Sequence, residues 1–231
     1  MPLTSPNLRL TLDTLDDTLF HHLPLTEPEA YALAILSLQI PGGPRAGMFN
    51  HGAAGREAAP RLYTGERLYT LLAAHHTLLI DSARLLTLLG VKTGAMSRAL
   101  ALASQKMEAR CYAGFCAVGE CRHLTVAFMR YLIASAPPGG GQRLSTFFNR
   151  LVAHRDGQGR WGSFPFYYTL LMLSESESPQ AAEERLYAAP ACAALLDRPW
   201  KDDPISRRRK TILQRTLNSA THNKSLLRPD A

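Results

Sequence analysis

No stretch of this chain approaches the roughly eighteen consecutive apolar residues of a membrane-spanning helix, so that class of protein is excluded. The first seventeen residues are polar and acidic and lack the basic-then-apolar order of a secretion signal, which makes the cytoplasm the expected location. Sustained period-two alternation of β-branched residues is missing, and with it the signature of a sheet protein. Neither G-x-x-x-x-G-K-S/T nor G-x-G-x-x-G occurs, so no phosphate-cradling loop of either kind is encoded. Aromatics make up only 8% of the residues, and cysteine occurs four times. Without a secretion signal, so few cysteines favour retained thiols or a metal site over a disulfide framework.

What is present is apolar and helical. The 231 residues are 46% hydrophobic, enough to bury a sizeable core in one large domain or two small ones. The net charge of +7 is unevenly placed. Nine Lys/Arg against three Asp give residues 198–231 a charge of +6, which leaves +1 for the other 197 residues. The expected organisation is therefore a near-neutral helical domain over 1–197 and a basic C-terminal helix with a disordered last dozen residues over 198–231.

Helix start and stop signals recur along the chain. Thr26-Glu27-Pro28-Glu29 opens a helix that ends before Pro41-Gly42-Gly43. Thr64 is the expected cap of a long run ending at Gly90, with a break near Asp81-Ser82. Thr93 opens the next helix. Another spans roughly 120–135, ahead of the flexible "APPGGGQ". Further starts fall at or just before Ser145, at Ser163, at Ser178-Pro179 and at Asp203-Pro204. About nine helices and an all-α fold follow.

One spacing occurs three times. Phe49, Phe115 and Phe164 each follow a leucine by thirteen residues (Leu36, Leu102, Leu151) and a polar residue by ten (Gln39, Gln105, His154), with glycine between. Helix, glycine turn, helix is the unit of a stacked-hairpin array. The L-x-x-Q helix end, glycine turn and new helix resemble the repeat of the squalene–hopene cyclase and protein prenyltransferase β-subunit families. The likeness runs over roughly 28–176 and is clearest in "HRDGQGRWGSFPFYYTLLMLSE". It implies helical hairpins in a partial α/α toroid around an aromatic-lined site for an apolar or isoprenoid-type ligand. Trp161, Phe164, Tyr167 and Tyr168 are the expected wall residues. Three repeats do not close a ring, so a homodimer completing the cavity is expected.

The catalytic signatures of those families are not reproduced. The prenyltransferase zinc pattern puts His123 where the family has aspartate, Thr125 where it has cysteine and Tyr168 where it has histidine. The D-x-D-D acid of the cyclases has only Asp13-Thr14-Leu15-Asp16-Asp17 as a counterpart, at the wrong spacing. Those carboxylates are expected to cap and solvate an N-terminal helix. Catalysis therefore stays open.

"RCYAGFCAVGECRH" gathers Cys111, Cys116, Cys121 and His123 within thirteen residues. Three thiolates and an imidazole suit tetrahedral zinc, and Gly114 and Gly119 permit tight wrapping. Opposing this, a helix that has begun by Cys121 would turn Cys121 and His123 about 200° apart. Buried thiols and a redox pair are the other readings. His75, His76, His123 and Glu120 are the catalytic candidates. His75 and His76, adjacent on a helix, cannot chelate one metal. Glu120 near a helix N-terminus is accounted for by the helix dipole. The basic tail carries Ile205, Ile212, Leu213 and Leu217 and is expected to dock on the body. Its charge also admits a nucleic-acid or acidic partner, and a helical-repeat module binding a protein or peptide is the remaining alternative.

Overall fold

The structure, a computed structural model, describes residues 7–52 and 59–226. Among them the fold is all-α. Its helices are α1 (Leu8–Phe20), α2 (Pro28–Leu36), α3 (Leu71–Leu89), α4 (Gly94–Glu108), α5 (Cys121–Ser135), α6 (Gly140–Val152), α7 (Phe166–Ser174), α8 (Pro179–Leu196) and α9 (Pro204–Leu226), with a 3-10 turn at Cys111–Gly114. The only strand-like pairings among the described residues are isolated bridges, Gln39 with Phe49 and Arg61 with Arg67. Among the described residues no helix is long and apolar enough to cross a membrane. Contacts divide the chain into two units. One is Met1–Tyr63 with Arg67–Ser135, the other Thr64–Glu66 with Ala136–Ala231. The boundary expected at 197/198 falls inside the second, between α8 and α9, which pack on each other.

In the first unit α3 is the central element, in contact with α1, α2, α4 and α5. Its sequence is apolar on every side, and Leu78, Leu79, Leu85 and Leu86 are all buried. Each such leucine contributes about 2 kcal/mol of transfer free energy. Thr70 caps it, accepting from the Ala73 N–H at 3.1 Å, and Gly90 ends it in the left-handed conformation. The expected start after Thr64 is thus corrected to Leu71. Residues 64–66 belong to the second unit, where the Thr64 carbonyl accepts from Arg209 Nε at 2.7 Å and Gly65 takes φ +88°. No break occurs at Asp81-Ser82, because Asp81 is paired from outside the helix.

That pairing overturns the expectation for the N-terminal carboxylates. Asp13 and Asp16 are 3% and 2% exposed, not solvated. Arg9 bridges Asp13 at 2.8 Å and Asp81 at 2.7 Å, and Arg61 also reaches Asp13. Asp16 is held between Arg84 and Arg130, the latter at 3.2 Å. Burial favours the neutral acid, but the two guanidinium groups outweigh it and keep Asp16 below the usual carboxylate range. Charges placed inside an otherwise apolar core are costly unless matched, so this network fixes α1 to α3 and α5 in one register.

In the second unit α7 packs on α8 and α9, and α6 on α8. Docking of the basic helix is as expected: Ile212, Leu213 and Thr216 are buried. The helix continues to Leu226, and the remainder of the expected disordered tail lies outside the described residues. Two further starts differ from expectation. α6 begins at Gly140, inside the glycine run, with Gly139 at φ +75° supplying the turn. α7 begins at Phe166, with Pro165 still extended at φ −68°, ψ 105°.

The three copies of the leucine–phenylalanine spacing follow different backbone courses. Gln39 lies in a bridge beyond α2, Gln105 inside α4, and His154 just past α6. Leu102 is exposed whereas Leu151 is buried. Part of the long loop after Phe49, residues 53–58, lies outside the described residues.

Candidate metal centre and ligand cleft

The three cysteines are brought together by a knot of short-range turns in the first unit. α4 ends at Glu108, and the 3-10 turn that follows closes with Phe115 at φ +66°, the left-handed region. The Cys116 N–H then donates back to the Cys111 carbonyl at 3.3 Å. A second reversal through Gly119, φ +50°, lets the Cys121 N–H donate to the Val118 carbonyl at 3.0 Å. α5 secures this loop from beneath, where the buried Thr125 hydroxyl donates to the carbonyl of Cys116 at 2.7 Å. The Thr125 side chain is thus committed to the loop.

As a result the Cys111, Cys116 and Cys121 Sγ atoms all lie within 4.8 Å of one another, and this cluster could hold a metal ion. The Cys111 and Cys121 sulfurs are 3.5 Å apart. Tetrahedral zinc with bonds of about 2.3 Å sets its sulfurs about 3.8 Å apart, so the observed spacing needs only small rotamer changes. Cys111 is exposed and the other two are half-buried. The Val118 N–H lowers the Cys116 thiol from its ordinary value, while burial first, and then its neighbour Cys111, push Cys121 up to about 12. Cys192, on α8 in the second unit, is buried, which raises it to about 12 and keeps it an inert thiol.

His123 is not part of the group, which corrects the four-ligand set. α5 starts at Cys121, so two further residues carry His123 to another face of the helix, where its Nδ1 is buried without a hydrogen bond. Glu120 is close in sequence but spent elsewhere. Its two carboxylate oxygens accept the Tyr69 N–H at 2.6 Å and the Thr70 N–H at 2.8 Å, at the start of α3. It therefore ties the cysteine loop to that helix.

The two adjacent histidines part company. His76 is buried, its Nδ1 3.0 Å from the Tyr112 hydroxyl. Burial, reinforced by Arg110, lowers its pKa to about 4, and burial likewise raises that of Tyr112. His75 is also shifted down by burial and then Arg45, and it opens onto a cleft of about 580 Å³ in the same unit. There its ring lies 5.4 Å from that of His51. Arg9, Asp13, Arg61 and Thr77 contribute the other polar groups, and Leu10, Leu68, Leu71 and Leu78 much of the apolar wall. His51, Arg9, Arg61 and Thr77 were not singled out in the sequence. Of these only Arg9 had a signal in the sequence, the charge of Asp81 inside the apolar run of α3, which demanded a partner from elsewhere.

Most of the expected wall residues of the second unit, Trp161, Phe164 and Tyr168, are buried. Trp161 is 1% exposed and its Nε1–H donates to Glu184 at 2.6 Å. Phe164 packs against His154 and Phe147, with centroids 5.1 and 6.3 Å away. Tyr168 is buried, and its backbone N–H reaches Glu66 at 3.3 Å. Tyr167 is half-buried between Trp200 and the Arg209 guanidinium. These rings join α7 to α8, α9 and the glycine turn before it.

Comparison with family models, with curated proteins and with solved structures finds no match to this chain.

Proposed function

We propose that this is a zinc-binding protein in which Cys111, Cys116 and Cys121 act as thiolate ligands. The observation that supports this is the spacing of the three sulfurs, all within 4.8 Å of one another. Soft thiolates select zinc among the common divalent ions. Among the described residues no fourth side chain joins the group, so water or an outside donor completes the tetrahedron, as in open rather than closed zinc sites. Metal content of protein purified without chelator tests the reading. One zinc per chain is expected, lost on Cys116→Ser and kept on His123→Ala. A metal-free protein that takes up no zinc, or equal loss in both variants, overturns it.

A second reading, binding of an apolar small molecule, is supported by the cleft at His75 rather than by the aromatic helix start. Nucleic-acid binding by the tail draws less support. Arg208 is buried, Arg209 is committed to Thr64 and Tyr167, and Arg207 is paired with Asp202 at 2.6 Å.

A further inference from the structure

The three thiols of the first unit differ in what can reach them. Cys111 is exposed on the 3-10 turn, whereas Cys116 and Cys121 are half-buried. The Cys111 and Cys121 sulfurs are already in contact at 3.5 Å, and a disulfide bond is about 2.05 Å long, so an approach of about 1.5 Å completes one. Backbone hydrogen bonds hold both ends of the pair. The Cys111 carbonyl accepts the Cys116 N–H at 3.3 Å, and the Cys121 N–H donates to the Val118 carbonyl at 3.0 Å. Glu120, the residue before Cys121, is bonded to Tyr69 and Thr70 just before α3. Folding has thus already met the entropic cost of bringing the two thiols together.

Access and adjacency are what a two-step thiol oxidation requires: an exposed sulfur that meets the oxidant and a second thiol beside it. Cys192, buried on α8, lacks the access. We propose that Cys111 and Cys121 are a redox pair that a hydroperoxide converts to a disulfide, and that this oxidation empties the metal site. In the first step the Cys111 thiolate attacks one peroxide oxygen and the O–O bond breaks, leaving a sulfenic acid on Cys111 and a hydroxide. In the second the Cys121 thiolate attacks the Cys111 sulfur, the S–O bond breaks and a second hydroxide leaves. The two thiolates lose two electrons, the peroxide gains them, and each hydroxide takes a proton from solvent to become water.

The release of metal rests on the zinc reading of the same cluster; the bond between the two sulfurs does not. A disulfide carries no thiolate charge to donate, so oxidation leaves Cys116 as the one remaining thiolate ligand, too few to hold zinc. A dithiol reverses the step by exchange through a mixed disulfide and restores all three ligands.

Treatment of the zinc-loaded full chain with a small molar excess of hydrogen peroxide tests it. A chromogenic chelator follows the zinc, and cleavage after Phe115 and Glu120 puts the three cysteines on separate peptides for mass spectrometry. Full release of the zinc is expected, together with cross-linked Cys111 and Cys121 peptides and with Cys116 and Cys192 still open to alkylation after unfolding. Dithiothreitol followed by zinc should reverse both changes. Cys116→Ser, expected to lack zinc, should still form the bond, and Cys121→Ser should stop at a sulfenic acid on Cys111 that dimedone traps. A bond to Cys116 in the wild type, oxidation that leaves Cys121 reduced, or zinc retained after the bond has formed overturns the proposal. Protein that holds zinc but whose thiols do not react with peroxide overturns the redox pair and leaves the metal reading in place. Protein that holds no zinc yet forms the Cys111–Cys121 bond overturns the metal reading and upholds the pair.

Discussion

Replacing Glu120 separates a structural carboxylate from a metal ligand or catalytic base. Its two oxygens accept backbone N–H groups of Tyr69 and Thr70 at 2.6 and 2.8 Å, just before the start of α3. Hydrogen bonds to a charged group are worth about 1.5–3 kcal/mol each when buried. Glu120 is half-buried and Tyr69 is 77% exposed, so solvent screening reduces the pair to about 2 kcal/mol together. The favourable charge at the α3 N-terminus adds about 0.5 kcal/mol. Glu120→Ala should therefore destabilise by about 2–3 kcal/mol, and Glu120→Gln, which keeps one acceptor oxygen, by about 1. Urea unfolding followed by far-ultraviolet circular dichroism reads both, as a lower midpoint at unchanged slope. Burial tends to raise the Glu120 carboxyl, but the bonds from Thr70 and Tyr69 outweigh it and hold it below its ordinary value. A depressed carboxyl stabilises above the unfolded value of about 4.3 and loses that contribution as pH falls through the folded one. The gap between wild type and Glu120→Gln should accordingly close below pH ~4. Zinc content should be the same in all three proteins. A Glu120→Ala protein of full stability that has lost its zinc would refute the structural role.

Three other perturbations have definite outcomes. The buried imidazole of His76, lowered to about 4, stabilises the fold fully above its unfolded value of about 6.5 and loses that contribution as pH falls toward 4. Thermal unfolding across this window should show a loss on the order of 2 kcal/mol that is absent in His76→Gln. Glu184→Ala strands the Trp161 indole N–H and the half-exposed Arg155, which bonds Glu184 at 2.6 Å. It should cost about 3 kcal/mol, against about 1 for Glu184→Gln, with a red shift of tryptophan emission only in the alanine variant. Gly159→Ala combines φ +82° with a Cβ 2.9 Å from that of Ala191 and should cost about 2 kcal/mol or more. Gly157→Ala, at φ +79° with nothing within 4 Å, carries the backbone strain alone, about 1 kcal/mol, and chemical denaturation compares the two.

Much of what is local was legible in the sequence. The caps at Thr93 and Ser178, the stop at Gly90, the proline starts of α2, α8 and α9 and the docking face of α9 follow from side chains acting within a turn or two of themselves. The three cysteines were legible as a cluster for the same reason, since only ten residues separate the first from the last. The exclusion of His123 followed from helix periodicity once the start of α5 was known.

What only the tertiary structure decided involves groups far apart in the chain. Asp13 and Asp16 read as a solvated helix end because a carboxylate's surroundings are set by its partners, and theirs come from Arg61, Arg84 and Arg130. The start of α3 moved by six residues because Thr64 and Gly65 are claimed by Arg209 and Ile205, some 140 positions later. The rings after Gly159 looked like the wall of a site, yet Trp161 and its neighbours lie in a core whose other half is α8 and α9. The cleft was invisible altogether. Its polar groups are separated by up to about seventy residues, none in a motif, and a cavity comes from how helices pack rather than from any one segment. The sequence by itself determined the helices and the thiol cluster, because backbone hydrogen bonding and turn geometry are short-range. Burial and charge pairing are long-range, so the ion network, the cleft and the fate of each histidine waited for the fold.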